Sequence, residues 1–112
     1  MAGSDIYRGT LDTLILRALS GGAMHGYAVG LWLRRHSGDV VKIQEGVLYP
    51  ALHRIRRKGW VEDRWGETET GRRAKFYELT PAGRRQLTDE APRLAEHSRA
   101  VLALLDGSTG RT

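Results

Sequence analysis

The chain has 112 residues, 40% of them hydrophobic, and a formal net charge of +5 at pH 7. This length suits one globular domain with a modest core. Because there is no cysteine, disulfides, thiolate nucleophiles and cysteine-based zinc sites are excluded. The sequence has no signal-peptide pattern and no run of the ~18 apolar residues that a membrane span needs. We therefore expect a cytoplasmic protein without a membrane partner.

The positive charge is concentrated in one part of the chain. Of the 18 Lys and Arg residues, 11 lie between residues 42 and 85, and 15 of the 18 are arginine. The planar guanidinium of arginine suits bidentate contacts with phosphate and guanine. This segment is therefore expected to bind a polyanion.

Two helices are predicted before this basic segment. Thr10 is a candidate N-cap for the first helix, which would end at Gly21 and Gly22. Its apolar residues recur at helical spacing: Leu11, Leu14, Ile15, Ala18 and Leu19. The second helix would run from His25 or Gly26 to His36. After it, the β-branched residues at positions 40, 41 and 43 predict either a short strand or a loop.

The third helix is predicted over residues 47–58, with Pro50 near its first turn and Gly59 at its end. At about 100° per residue, one face is apolar. That face consists of Leu48, Ala51, Leu52 and Ile55. The opposite face consists of Gly46, Pro50, His53 and Arg57, flanked by Tyr49, Arg54 and Arg56. The pattern fits either a DNA-reading helix or a solvated basic face.

The hairpin that follows favours the DNA-reading interpretation. Apolar residues alternate with polar ones around Val61 and Trp65, and again around Tyr77 and Leu79. The loop between them contains two glycines, and the cations Arg72, Arg73 and Lys75 would project from it. Trp60 and Trp65 are expected to close the core under this wing. Helix and hairpin together predict a winged helix-turn-helix.

A fourth helix should begin at Thr80 and Pro81, which suit the N-cap and the first helical position. Apolar or small residues recur in this helix at steps of four and three, which predicts a stripe, or seam, along one face that pairs with a second copy in a dimer. They are Leu87, Ala91, Leu94, Ser98, Val101 and Leu105. Alternatively, the seam packs on the first helix of its own chain, at Leu16. Pro92 predicts a kink or a break near residues 88–91.

The predicted fold is thus mainly α with a small β-hairpin. A winged helix-turn-helix would occupy residues 9–80 and a C-terminal dimerisation helix residues 81–106. Residues 1–8 and 107–112 are expected to be flexible tails.

Four segments resemble the PadR-like transcriptional regulators. They are GTLDTLILRAL at residues 9–19, MHGYAVG at 24–30, EGVLYPALHRI at 45–55 and TGRRAKFYELTPAGRRQL at 70–87. The resemblance implies a bacterial winged-helix repressor, dimeric through its C-terminal helix and without enzymatic activity or a cofactor. It also implies that Tyr49, Pro50 and His53 face DNA. In the same way, it assigns the cations at positions 72, 73 and 75 to the wing.

Three departures from the family pattern affect the predicted contacts. Val47 replaces the usual Ser or Thr, which leaves an apolar contact to a thymine methyl as the available interaction. Arg56 replaces a frequent acidic residue. Leu31 and Trp32 stand where relatives are commonly polar. Core or dimer packing is the preferred interpretation of this pair, and a small-molecule effector site is the alternative.

The resulting hypothesis is a dimeric repressor that binds an inverted repeat in double-stranded DNA. The predicted DNA contacts are Lys42, Val47, Tyr49, Pro50, His53, Arg54, Arg57, Arg72, Arg73 and Lys75. The predicted dimer contacts are Leu87, Leu94, Val101 and Leu105. The rival hypothesis is a basic adaptor that binds RNA or acidic proteins. The scattered histidines and the absence of HExxH or a complete phosphate loop predict neither a metal site nor catalysis.

Overall fold

A computed structural model describes residues 2–107, with side chains from residue 8 onward. The elements in chain order are α1 (Ala2–Leu19), β1 (Met24–His25), α2 (Gly26–His36), α3 (Glu45–Arg57), β2 (Val61–Glu67), β3 (Arg73–Leu79) and α4 (Pro81–Asp106). The described chain is therefore mostly helical with one small antiparallel sheet. This confirms the predicted fold class.

The first helix begins earlier than predicted. Because α1 starts at Ala2, Thr10 lies inside the helix and does not cap it, and residues 2–8 are helical, contrary to the predicted tail. Gly9 is a poor helix former, but its cost of about 1 kcal/mol is too small to end a helix. At the other end, Gly107 closes α4 in the left-handed conformation. The rest of the predicted C-terminal tail, residues 108–112, lies outside the described residues.

The core lies where α1, α2, α3 and the base of the sheet meet. Its fully buried large side chains are Ile15, Leu16, Leu19, Val29, Leu52 and Ile55. Leu87 of α4 packs against the same cluster. The start of the predicted dimer seam is therefore used within its own chain, which agrees with the alternative that the seam packs internally.

The sheet has the order β1-β3-β2. The hairpin register pairs Val61 with Leu79 at its base and Glu67 with Arg73 near its tip. Strand β1, which has only two residues and was not predicted, pairs with Tyr77 and Phe76 of β3. The segment at residues 40–43 forms the predicted alternative, a loop.

Helix α3 starts two residues before the predicted position, so Pro50 is its sixth residue and not part of the first turn. Proline has no N–H, so it cannot donate the helical hydrogen bond to the Gly46 carbonyl. The apolar face of α3 compensates, because all four of its predicted core residues are buried.

Helix α4 begins as predicted. The Thr80 hydroxyl accepts a hydrogen bond from the Gly83 N–H at 3.0 Å and donates one to the Gly59 carbonyl at 2.6 Å. Pro81 occupies the first turn. Of the predicted kink or break near residues 88–91, the break does not occur, since the helix continues to Asp106. A proline inside a helix costs ~3 kcal/mol through its missing N–H and the clash of its ring with the preceding turn, and the packing of this 26-residue helix against α1 offsets that cost.

Candidate nucleic-acid interface

Helix α3 presents one face to the core and one to solvent. Leu48, Ala51, Leu52 and Ile55 are buried. Gly46, Val47, Pro50, His53 and Arg57 are exposed. Val47 is 53% exposed although it is apolar. The predicted division of this helix into a core side and an outward side is confirmed.

Tyr49 lies at the boundary between these two sides and is 37% exposed. Its ring packs over the start of α2, where a Cβ on Gly26 would lie 2.6 Å from its Cε1 atom. Glycine at this position is therefore what lets the ring approach. Burial raises the pKa of the Tyr49 phenol, and the nearby Glu45 carboxylate raises it further. The hydroxyl thus stays protonated at neutral pH and can donate a hydrogen bond.

Arg54 does not project from the outward face as predicted. Its Nη2 atom lies 2.6 Å from Asp12 Oδ1, and its Nε lies 3.1 Å from Asp12 Oδ2. The two side chains are 21% and 6% exposed. Arg54 is removed from the candidate DNA contacts because this pair engages its Nε and Nη2 atoms and holds the guanidinium against α1.

The wing carries the predicted cations, arranged around an aromatic side chain. The Arg73 guanidinium lies 4.6 Å from the Trp65 ring centroid and the Lys75 ammonium 5.2 Å from it. Trp65 is 57% exposed, so the prediction that it closes the core is wrong. Strand β2 extends past the core at this point, and cation–π contacts replace apolar packing. Trp60 packs against the core as predicted.

Asp63 connects the wing to α3. Its Oδ2 atom lies 3.5 Å from Arg56 Nε of α3 and 3.4 Å from Lys75 Nζ of β3. The Asp63 side chain is 19% exposed, so solvent screens these ion pairs only in part. The bridge favours one orientation of the wing relative to the helix. Sequence reasoning missed Asp63, because its partners are set by strand register and not by local spacing.

A cleft of about 620 Å³ separates the wing from the start of α2. One wall includes Arg72, Arg73 and Lys75, and the other includes His25, Tyr27, Leu31 and Tyr49. Helix α3 and the wing therefore border one shared surface. Tyr27 was also missed. The sequence feature that could have identified it is an aromatic residue at the start of α2, on the polar face of that helix.

Lys42 and Leu31 line a neighbouring cleft of about 280 Å³ between α2 and α3. Lys42 is exposed and stands on the same side as Tyr49. Trp32, by contrast, packs against the core, and its ring stacks on His36 with 4.0 Å between centroids. The structure thus separates the two candidate effector residues, and the position of Trp32 agrees with the preferred packing interpretation.

The predicted dimer residues divide into two groups. Leu87 packs on the core, and Leu94 is half-buried in a groove between α1 and α4. Val101 is 36% exposed and Leu105 is 79% exposed. Two further leucines, Leu102 and Leu104, are 65% and 80% exposed. The exposed apolar surface of α4 is therefore confined to its last turns.

Among residues 8–107, whose side chains the structure describes, no three side chains of His, Asp or Glu come together as a metal site. In the same part of the chain, no helix has the length and apolar character that crossing a membrane requires.

The chain is similar to known transcriptional regulators. Residues 15–89 match the sequence profile of the transcriptional regulator PadR-like family. The transcriptional regulator Rv3488 of Mycobacterium tuberculosis is 32% identical over 98 residues, which cover 88% of each chain. A PadR-like transcriptional regulator from Bacillus cereus is 28% identical, with a TM-score of 0.72 over 93% of this chain and 99% of the other.

A third relative was solved with its ligand. Bacillus subtilis PadR in complex with operator DNA is 26% identical, with a TM-score of 0.64. The similarity covers 72% of this chain and 46% of that protein.

Proposed function

Because the chain belongs to the PadR-like family of transcriptional regulators, we propose that it represses transcription in the cytoplasm by binding an inverted-repeat operator as a homodimer. The observation that carries this proposal is the shared cleft. Tyr49 of α3 and Arg72, Arg73 and Lys75 of the wing line it together. A duplex whose major groove receives α3 would therefore bring its adjoining backbone to the wing.

The exposed residues of α3 supply the base contacts in this proposal. The Tyr49 hydroxyl and the His53 imidazole are hydrogen-bonding groups that can reach base edges, and Val47 offers a methyl contact to thymine. Pro50 lies between them and restricts the backbone. Arg57, at the end of the helix, is placed for a phosphate. Base edges provide specificity, whereas phosphates position the protein.

The wing and the loop before α3 supply general affinity. Arg72, Arg73, Lys75 and Lys42 are cations on the surface that surrounds Tyr49. Each phosphate that they neutralise releases counterions, so binding should weaken steadily as salt rises. Asp63 competes for Lys75 at 3.4 Å, which makes the two arginines the stronger contributors.

The end of α4 supports the dimer. Leu102, Leu104 and Leu105 are each at least 65% exposed, and a second copy of this helix would cover them. A two-fold dimer presents two α3 helices to two half-sites, and linked half-sites bind far more tightly than one. Bacillus subtilis PadR, solved with operator DNA, supports the choice of DNA as the partner. An operator that overlaps a promoter would then be blocked by occupancy.

Selection from randomised duplexes tests the proposal. The expected result is one inverted repeat with half-sites about 34–36 Å apart, bound in a salt-dependent manner by two protomers. A matched duplex with one scrambled half-site should bind much more weakly. In cells, the selected repeat placed at a reporter promoter should reduce expression when the protein is present.

Two outcomes would contradict the proposal. Equal affinity for every duplex would remove sequence-specific recognition. Tighter binding to RNA or to acidic proteins than to any duplex would favour a basic adaptor.

A further inference from the structure

Tyr27 is a large aromatic residue left mostly in solvent. It is the second residue of α2, it is 65% exposed, and it lines the cleft between α2 and the wing. Its hydroxyl takes part in none of the hydrogen bonds within the described residues. A surface tyrosine of this kind has a free donor beside an apolar ring.

The position of Tyr27 is supported from below by His25. The two rings stack with centroids 6.4 Å apart and planes 9° apart. His25 is itself held, because its Nδ1 atom accepts a hydrogen bond from the Ala28 N–H at 3.3 Å and its ring meets the Phe76 ring edge-on at 5.4 Å. Contacts of His25 with both α2 and β3 therefore hold the ring on which Tyr27 stacks.

The opposite wall of the cleft is cationic. Arg72, Arg73 and Lys75 line it, accompanied by one carboxylate, Glu69. Arg72 is exposed, and no ion pair of its side chain occurs within the described residues. The cleft therefore combines excess positive charge with a tyrosine hydroxyl across from it.

A phosphodiester matches these groups. It carries one negative charge and two acceptor oxygens, which a guanidinium and a hydroxyl can satisfy from two sides. We propose that the cleft seats one backbone phosphodiester of DNA, held jointly by the Tyr27 hydroxyl and the Arg72 guanidinium. This inference rests on the proposed function, since the phosphodiester belongs to the duplex that α3 reads. It adds a binding residue from α2 to those of α3 and the wing.

Phosphate contacts are independent of sequence, so a labelled duplex of random sequence is a sufficient probe. Its affinity is measured by fluorescence anisotropy over a range of salt concentrations, with wild type, Tyr27→Phe, Arg72→Ala and the double variant. Tyr27→Phe keeps the ring on His25 and should weaken binding roughly fivefold, the value of one hydrogen bond. Its salt slope should be unchanged, because no charge is lost.

Arg72→Ala should weaken binding and reduce the salt slope by ~1. If both groups hold one phosphate, the double variant should lose less than the product of the two single losses. Arg99→Ala, which removes an exposed charge from the distal half of α4, is the matched control and should leave the slope unchanged. Thermal melting should show that all variants remain folded.

The outcomes distinguish a failure of the proposed function from a failure of the phosphate site alone. A wild-type protein that binds no duplex at low salt would contradict the proposed function itself. If the wild type binds and Tyr27→Phe binds equally well, only the phosphate seat is overturned. Single losses that multiply would also overturn the shared seat, because they would place Tyr27 and Arg72 on separate phosphates.

Discussion

Arg54 of α3 donates to both carboxylate oxygens of Asp12 in α1, at 2.6 and 3.1 Å. The Asp12 side chain is only 6% exposed, so solvent screens this ion pair little. The pair connects α3 to α1. It also orients one arginine of a basic helix inward while Arg57, three residues later, remains exposed.

Arg54→Ala should lower the free energy of unfolding by about 2–4 kcal/mol, because it leaves a buried charge without its partner. Asp12→Ala should cost less, since the freed Arg54 side chain can reach solvent. Urea denaturation followed by circular dichroism measures both. Arg57→Ala is the control and should change stability by less than about 0.5 kcal/mol. Equal effects of Arg54→Ala and Arg57→Ala would show that the ion pair is not important for stability.

Gly83→Ala should destabilise the fold by more than about 2 kcal/mol. A Cβ at this position would lie 1.9 Å from the Trp60 carbonyl oxygen. That oxygen also accepts the Thr80 N–H at 3.0 Å, so the backbone cannot easily yield. Gly46→Ala is the matched control, since no atom lies within 4 Å of its Cβ. It should raise stability by roughly 0.5–1 kcal/mol through helix propensity. Thermal melts that rank the two variants in the opposite order would contradict this packing.

Arg72→Ala and Arg73→Ala should weaken binding to operator and random DNA alike and reduce the salt slope by ~1 for each lost phosphate contact. Trp65→Ala should weaken both in the same way, because the indole holds the Arg73 guanidinium at 4.6 Å. Trp65→Phe retains an aromatic face and should recover part of the loss. Anisotropy titrations at several salt concentrations measure the slopes. A loss confined to the operator would mean that the wing reads bases.

Tyr49→Phe and His53→Ala should lower the ratio of operator to random affinity, by roughly 1–3 kcal/mol for a genuine base contact. Gly26→Ala should have a similar effect, since the added Cβ would lie 2.6 Å from Cε1 of Tyr49 and would displace that ring. Competition titrations with operator and random duplexes give the ratio. If all three variants retain it, α3 does not read bases through these residues.

Leu102→Glu combined with Leu105→Glu should produce a folded monomer that no longer binds the operator. These leucines are 65% and 79% exposed, so the monomer loses little packing when they change. Leu94→Glu with Val101→Glu should also dissociate the dimer, but Leu94 is half-buried in its own chain and the fold would weaken as well. Sedimentation measures the assembly. A Leu102 and Leu105 double variant that stays dimeric and binds DNA would place the interface elsewhere.

Features that depend on neighbours within one or two turns could be predicted from the sequence. Thr80 caps α4 because its hydroxyl needs only the N–H of Gly83. The core face of α3 followed from helical spacing alone. Local sequence signals were less reliable where tertiary packing can offset the free-energy cost of an unfavourable residue. Pro92 predicted a kink or a break, yet α4, which packs against α1, continues through it without a break.

The candidate site was predictable only in outline. The spacing of charges identified the wing cations, but strand register decided that Lys75 lies between Trp65 and Asp63. Tyr27 joined the site because β1 brings the start of α2 beside β3. No local pattern in the sequence predicts this contact, since β1 and β3 are about 50 residues apart in the chain.

The sequence by itself determined the order of the four helices and the hairpin and which side of α3 is apolar, because periodicity and capping act over a few residues. Tertiary structure alone decided which side chains are exposed, buried or ion-paired. It turned Arg54 inward to Asp12, left Trp65 in solvent and packed Leu87 on the core. The physical reason is that burial and ion pairing depend on what surrounds a side chain in space. A linear pattern of charge and hydropathy does not contain that information.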